Sequence, residues 1–184
     1  MRRALTIHPD SRCVAATCVE VEIALPRPGR LVLQYRVTGK MSDLLMPPVS
    51  APRRADELWK HTCFEAFVRA VPATSYYEFN FAPSTQWAAY RFTDYRTGMS
   101  VASEIAAPRL AVQTGAGSCE LQAVLALEDL SGLRNDTHWR LGLAAVIEEA
   151  SGDKSYWALA HPPGKPDFHH FDGLVHELPV TTHS

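Results

Sequence analysis

Glu65 stands in the run LWKHTCFEAF at 58–67, where strand alternation would send Phe64, Ala66 and Val68 to one face and the carboxylate to the other. A carboxylate set in so apolar a segment needs a partner if it is buried. In YYEFNF at 76–81, Tyr77, Phe79 and Phe81 form one face and Tyr76, Glu78 and Asn80 the opposite one, while Trp87, Ala89 and Arg91 share a face of WAAYRF at 87–92. The connections between these three runs are short, so they are expected to be neighbouring strands that gather Glu65, Glu78, Asn80 and Arg91 into one polar patch. An Arg beside a Glu offers the donors and acceptors that suit vicinal hydroxyls, and a Trp face packs on the C–H face of a pyranose. The expected ligand is therefore a small molecule, with a saccharide the best chemical match. The competing structural reading is an internal Glu65–Arg91 ion pair that braces the sheet.

Two further Trp residues extend the patch. Trp157 has the strand parity of Ser155, Leu159 and His161, so its ring and the His161 imidazole would border a site near a strand end, and Trp59 precedes its strand by a few residues. Together they could sandwich a sugar ring, although core filling is the ordinary role of a Trp. The segment HPPGKPDFHHFDG at 161–173 collects His161, Asp167, His169, His170 and Asp172, donor types that zinc or iron accept, but the spacing matches no established ligand pattern. No phosphate loop, GxGxxG, nucleophile elbow or HExxH is present, which favours a non-catalytic protein. An enzymatic alternative would use Glu65 or His161 as a general base in a small lyase or hydrolase.

The elements that must carry these residues are strands. Val19, Val21, Ile23 and Leu25 alternate with Glu20, Glu22 and Ala24, and Leu31, Leu33, Tyr35 and Val37 alternate with Gln34, Arg36 and Thr38. PRPG at 26–29 joins the two runs as a hairpin turn. Further strands are expected at 63–70, 76–83, 87–95, 108–114, 119–127, 139–149, 155–162 and 174–180, each bounded by turn-forming residues. EDLSGL at 128–133 reads as one helical turn, and 40–56 and 161–173 are the long irregular connections, where function tends to concentrate. About ten short strands in one chain of this size indicate an all-β, antiparallel two-sheet sandwich.

Composition agrees with this. The chain has 184 residues, is 46% hydrophobic and carries a formal net charge of -2, which is enough apolar material for one domain over 1–184 and offers no basic surface for nucleic acid. There is neither a signal-like apolar run near the N-terminus nor a span for a bilayer, so no membrane association and a cytoplasmic location are expected. In that compartment Cys13, Cys18, Cys63 and Cys119 should be free thiols. Edge strands of an open sandwich leave monomer and homodimer as alternatives.

Taken together, LWKHTCFEAFV at 58–68, YYEFNFAPSTQWAAYRF at 76–92 and SYWALAHPPGKPDFHHFD at 155–172 resemble bacterial DOMON-like proteins related to the family 9 carbohydrate-binding modules. The resemblance extends from about Ala4 to Pro179. It implies a jelly-roll, immunoglobulin-like sandwich and a site in which a Trp stands six residues before a strand Glu, as Trp59 and Glu65 do, completed by an Arg and a late Trp that correspond to Arg91 and Trp157. Family modules are usually appended to secreted glycoside hydrolases and hold structural calcium, and no acidic loop of this chain corresponds to that site. Other DOMON members hold haem through a Met and a His, for which Met41, Met46 or Met99 with His161 or His169 would be the candidates. No cofactor is expected from the saccharide reading; haem or a divalent metal belongs to the alternative of a redox or sensing module.

Overall fold

The computed structural model describes residues 1–27, 29–127, 130 and 138–178. Alternation governs its first sheet. Strands β2 (Ala16–Arg27) and β3 (Arg30–Gly39) pair antiparallel with Val21 opposite Tyr35 and Ile23 opposite Leu33, so their apolar residues share one face. β9 (Ser118–Ala126) continues on β3, β8 (Arg109–Thr114) covers β9, and β1 (Arg2–Ile7) lies on the other side of β2. The outer face of this sheet is polar and bears the Arg36–Glu120 ion pair and a Gln34–Glu120 hydrogen bond.

The second sheet has the order β7 (Ser100–Val101), β6 (Trp87–Phe92), β5 (Tyr76–Phe81), β4 (Cys63–Ala70), β10 (Trp139–Glu148) and β11 (Lys154–Ala158). The short β12 (His176–Leu178) pairs with the start of β10. β1 serves both sheets: Arg2 to Leu5 pair with β2, whereas Thr6 and Ile7 pair with β11. One antiparallel sheet thus curls over and faces itself, giving a β-sandwich whose core lies between the two halves. Tyr35 of β3, fully buried, stacks on Phe64 of β4 at 4.9 Å and donates its hydroxyl to the Glu65 carbonyl at 2.7 Å, which ties the halves together.

The central strands β4, β5 and β10 of the second sheet are buried on both faces, unlike the strands of the first sheet. Their inner side faces the core; on the outer side Phe67, Tyr76, Tyr90, Phe92 and Leu174 form a second apolar cluster, against which Trp59, Phe168 and Phe171 pack. The two long connections foreseen from sequence supply that cover. They contain short 3-10 turns at Met41–Asp43 and Phe171–Gly173, and a third turn, Leu58–Lys60, follows just beyond the end of the first. Because the covering segments meet the sheet unevenly, a cleft remains between them.

The expected strands coincide with β2 to β6 and β8 to β12, apart from shifts of a few residues at their ends. β1 and β7 were not expected: Leu5 is the buried residue of β1, and β7 has two exposed residues, so neither shows alternation. Apart from Leu130, the helical turn expected at 128–133 lies outside the described residues, as does the end of the last expected strand, 179–180. The four cysteines are free, with Cys63 and Cys119 buried. Among the described residues no helix is long and apolar enough to cross a membrane.

Candidate functional site

The antiparallel register of β4 and β5 sets Glu65 opposite Asn80 and Phe67 opposite Glu78, so Glu65, Glu78 and Asn80 all point to the outer face of the second sheet. Above them lies a cleft of about 400 Å³. Its floor includes Glu65, Glu78, Val146 of β10 and Tyr156 of β11. One wall is Trp59, carried by the Leu58–Lys60 turn and braced edge-on by Tyr90 at 5.7 Å. Tyr90 in turn donates its hydroxyl to Asp56. The opposite wall is Pro166, Phe168 and His169 from the connection after β11, and Arg96 and Met99 close the rim from the segment between β6 and β7.

A continuous polar network fixes these groups. Asn80, fully buried, donates Nδ2 to Glu78 Oε1 at 2.7 Å and accepts from Cys63 Sγ at 3.5 Å. Glu78 Oε2 lies 3.7 Å from His169 Nε2, and His169 Nδ1 is hydrogen-bonded to the Tyr76 hydroxyl at 2.8 Å. Tyr76 also accepts from the Arg96 backbone N–H at 3.2 Å. Asp167 accepts from Arg96 at 2.7 and 3.2 Å, from the His169 backbone N–H at 3.1 Å and from the Tyr95 hydroxyl. Glu65 differs from the rest: only 3% exposed, its carboxyl makes no hydrogen bond to any described residue and opens onto the cleft.

Burial controls the charge state of the floor. It pushes the Glu65 carboxyl well above the usual carboxylate range; the neighbouring Glu78 adds to this and Arg96 opposes it. Glu78 is raised to about 7 by burial, against the pull of its Asn80 hydrogen bond and of Arg96. His169 is lowered to about 4, first by burial and then by Arg96, with Asp167 opposing. For Asp167 burial acts upward, but the hydrogen bonds from Arg96 and Tyr95 outweigh it and hold the group below its ordinary value. Near neutral pH the cleft therefore presents an uncharged imidazole, a Glu78 carboxyl near its midpoint and a guanidinium held by Asp167, with the Glu65 carboxyl pushed towards its protonated form. Such a surface can donate and accept hydrogen bonds at several points beside aromatic walls.

Several positions differ from the sequence reading. Trp59, Glu65 and Glu78 line one cleft, and Asn80 supports it from beneath. Arg91 does not join them: it pairs with Tyr77 and so has the parity of the inner face, exposed at the end of β6. Strand parity cannot place Arg91 with Glu78 when Tyr90 is the residue opposite Glu78. No Glu65–Arg91 ion pair forms among the described contacts, and the cleft's guanidinium is that of Arg96, which sits in a turn where alternation gives no signal. Trp157 pairs with Ile7 and Ala145, is 7% exposed within the inner core, and donates Nε1 to Ser155 at 2.9 Å. Its neighbour Tyr156 takes the outward position in the cleft. In a strand buried on both sides, apolar parity alone could not decide between these two adjacent rings.

His161 lies elsewhere, with Nε2 2.8 Å from the Thr6 carbonyl and its ring edge-on to His8 at 4.9 Å. The proposed metal set is dispersed in the same way: Asp167 is engaged by Arg96, His169 turns into the cleft, and His170 accepts from the Asp172 N–H. Among the described residues no three His, Cys, Asp or Glu side chains are grouped to hold a metal ion. Of the methionines considered for haem, Met41 is buried between the sheets, Met46 borders a second cavity, and Met99 shares the cleft with His169. That second cavity, about 570 Å³, lies on the other side of the Leu58–Lys60 turn beside the His61–Glu148 contact of 2.8 Å.

No family model and no curated protein sequence matches the chain. Solved structures do resemble it. One is a "putative carbohydrate-binding protein" from Bacteroides uniformis ATCC 8492, with a TM-score of 0.70 at 14% identity over 94% of this chain and 83% of that one. A family 9 carbohydrate-binding module from Caldicellulosiruptor kristjanssonii in complex with glucose gives a TM-score of 0.53 at 12% identity, over 95% and 81% of the two chains. The same organism's family 9 module in complex with cellotriose gives 0.50 at 13% identity, over 87% and 74%. At these identities the likeness is one of fold.

Proposed function

We propose that the protein is a non-catalytic carbohydrate-binding module of the family 9 and DOMON-like kind that its motifs resemble, and that the cleft over β4 and β5 holds a small saccharide or the end of a glycan. The observation that carries this reading is the meeting of Trp59 with Glu65, Glu78, Arg96 and His169 in one open cleft. A pyranose has an apolar C–H face and a rim of hydroxyls, and both are matched here: Trp59, Tyr156 and Phe168 offer ring surface, and the floor and rim offer hydrogen-bonding groups. A volume of about 400 Å³ is at the small end for ligand clefts, which suits one or two sugar units. The fold neighbours, described as a putative carbohydrate-binding protein and as modules in complex with glucose or cellotriose, support the same class of ligand.

Calorimetric titration with a panel of mono- and disaccharides tests this. At least one sugar is expected to bind with a micromolar to millimolar Kd, and Trp59→Ala should weaken it by about tenfold or more, since a stacked ring contributes roughly 1–2 kcal/mol. If no sugar in the panel binds at millimolar concentration, or if Trp59→Ala binds as the wild type does, the reading is wrong. Release of shortened sugars during incubation with oligosaccharides would overturn the non-catalytic part.

A further inference from the structure

We infer that the saccharide held in this cleft carries a protonated amine, bound by the carboxyl groups of Glu65 and Glu78. The inference rests on the carbohydrate reading and specifies the ligand within it. Its starting point is Glu65: 97% of the residue is withdrawn from solvent, yet its carboxyl has no hydrogen-bond partner among the described residues and faces the cleft. The carboxyl reaches the cleft, so the partner that no described side chain supplies comes from whatever fills that cleft, water or a ligand. Glu78, 4% exposed, uses Oε1 for Asn80 and leaves Oε2 at 3.7 Å from His169, outside hydrogen-bond range.

Among the described residues, the floor carries carboxyl groups but no cation of its own that is free to pair with them. Arg96 is the guanidinium of the cleft, and two of its donors are already taken by one oxygen of Asp167. Asp167 thus occupies Arg96, and no fixed cation among the described cleft residues remains to pair with Glu65 or Glu78 when either ionises. The His169 imidazole adds none at neutral pH, since burial lowers it to about 4. A neutral hydroxyl supplies one proton to such a floor, whereas an ammonium supplies three donors and a compensating charge. Burial pushes the Glu65 carboxyl towards its protonated form, and an arriving ammonium would favour release of that proton to solvent and an ion pair in its place. Trp59, Tyr156 and Phe168 are suited to the same cation, because ring faces attract it as well as packing on the sugar's C–H bonds.

The test uses the full chain and intrinsic Trp fluorescence or calorimetry, at a pH of about 6.5 where a sugar amine is protonated. Glucosamine, galactosamine and mannosamine are each compared with the parent hexose and the N-acetyl derivative, and ethanolamine serves as an amine without a sugar ring. At least one hexosamine is expected to bind about tenfold or more tightly than both of its neutral counterparts and than ethanolamine. Glu65→Gln, which keeps the shape and removes the charge, should bring that ratio close to one; Glu78→Gln is the second variant should the first fold poorly. If parent hexoses bind as tightly as the hexosamines, the inference falls and the carbohydrate reading stands. If ethanolamine binds as well as the hexosamines, or nothing in the panel binds, the carbohydrate reading falls with it.

Discussion

Glu78 on the cleft floor and His169 in its wall lie 3.7 Å apart, and burial drives both towards their uncharged forms from opposite directions. Glu78 has a folded-state pKa of about 7, above the unfolded carboxylate value near 4.5, so its contribution to stability is complete below about 4.5 and is lost as pH rises towards 7. His169, lowered to about 4 from 6.5, behaves oppositely: its contribution is complete above 6.5 and is lost as pH falls towards 4. The two partly cancel in the wild type, which makes the single variant informative. Glu78→Gln removes the group that loses stability on ionising, so its Tm should gain on the wild type by several degrees as pH is raised from about 4.5 to 7. A Tm difference that stays flat across that window would show that Glu78 is not held neutral by burial. At this scale strand parity and the short connections grouped Glu65, Glu78 and Asn80, but the same reasoning misplaced the strand residues Arg91 and Trp157. Arg96 and Phe168 were not grouped with them, because their chain segments have no period from which a direction can be read.

The turn between β6 and β7 is the element that delivers Arg96. Thr97 donates its N–H to the Asp94 carbonyl at 3.0 Å, Arg96 takes a left-handed φ of 51°, and Gly98 follows with φ 65°. A Cβ at Gly98 would stand 2.1 Å from Thr93 Oγ1, so the position needs glycine both for its backbone conformation and for space. Gly98→Ala is expected to cost about 1–2 kcal/mol of stability. Saccharide affinity should also weaken several-fold, because Arg96 would lose its place against Asp167 and over the cleft. Tm and Kd measured on the same preparation check this, and a folded variant with wild-type affinity would show that the turn does not set the guanidinium. Strands were the legible elements, since eight-residue runs such as CFEAFVRA carry their own pattern. The turn was not, because its role depends on Asp167, 71 residues away from Arg96. The long connection at 161–173 was singled out by length and does form a wall of the cleft, but through His169 and Phe168 packing on the outer sheet face rather than through a metal cluster.

At the scale of the molecule, the second sheet separates two tasks between its faces. Its inner face closes the core against the first sheet, through contacts such as Tyr35 on Phe64, and its outer face is covered by connections that leave the cleft. The sandwich was legible because the first sheet, polar outside and apolar inside, gives clean alternation; the sidedness of the second was not, because both of its faces are apolar. Trp157 and Trp59, both assigned to the ligand in the sequence reading, fall on opposite sides of this division. Trp157 fills the inner core beside Ala145 with its indole N–H satisfied by Ser155, so Trp157→Ala should lose about 3–5 kcal/mol and lower Tm by roughly 10 °C or more, through cavity formation. Measured at a temperature where the variant is still folded, its saccharide Kd should stay within about twofold of wild type, since no atom of Trp157 borders the cleft. Trp59→Ala should show the reverse, with Tm little changed and the affinity weakened by about tenfold or more. A Trp157→Ala protein that keeps its Tm but loses its ligand would mean that the ligand lies between the sheets, and the division between the two faces would have to be abandoned.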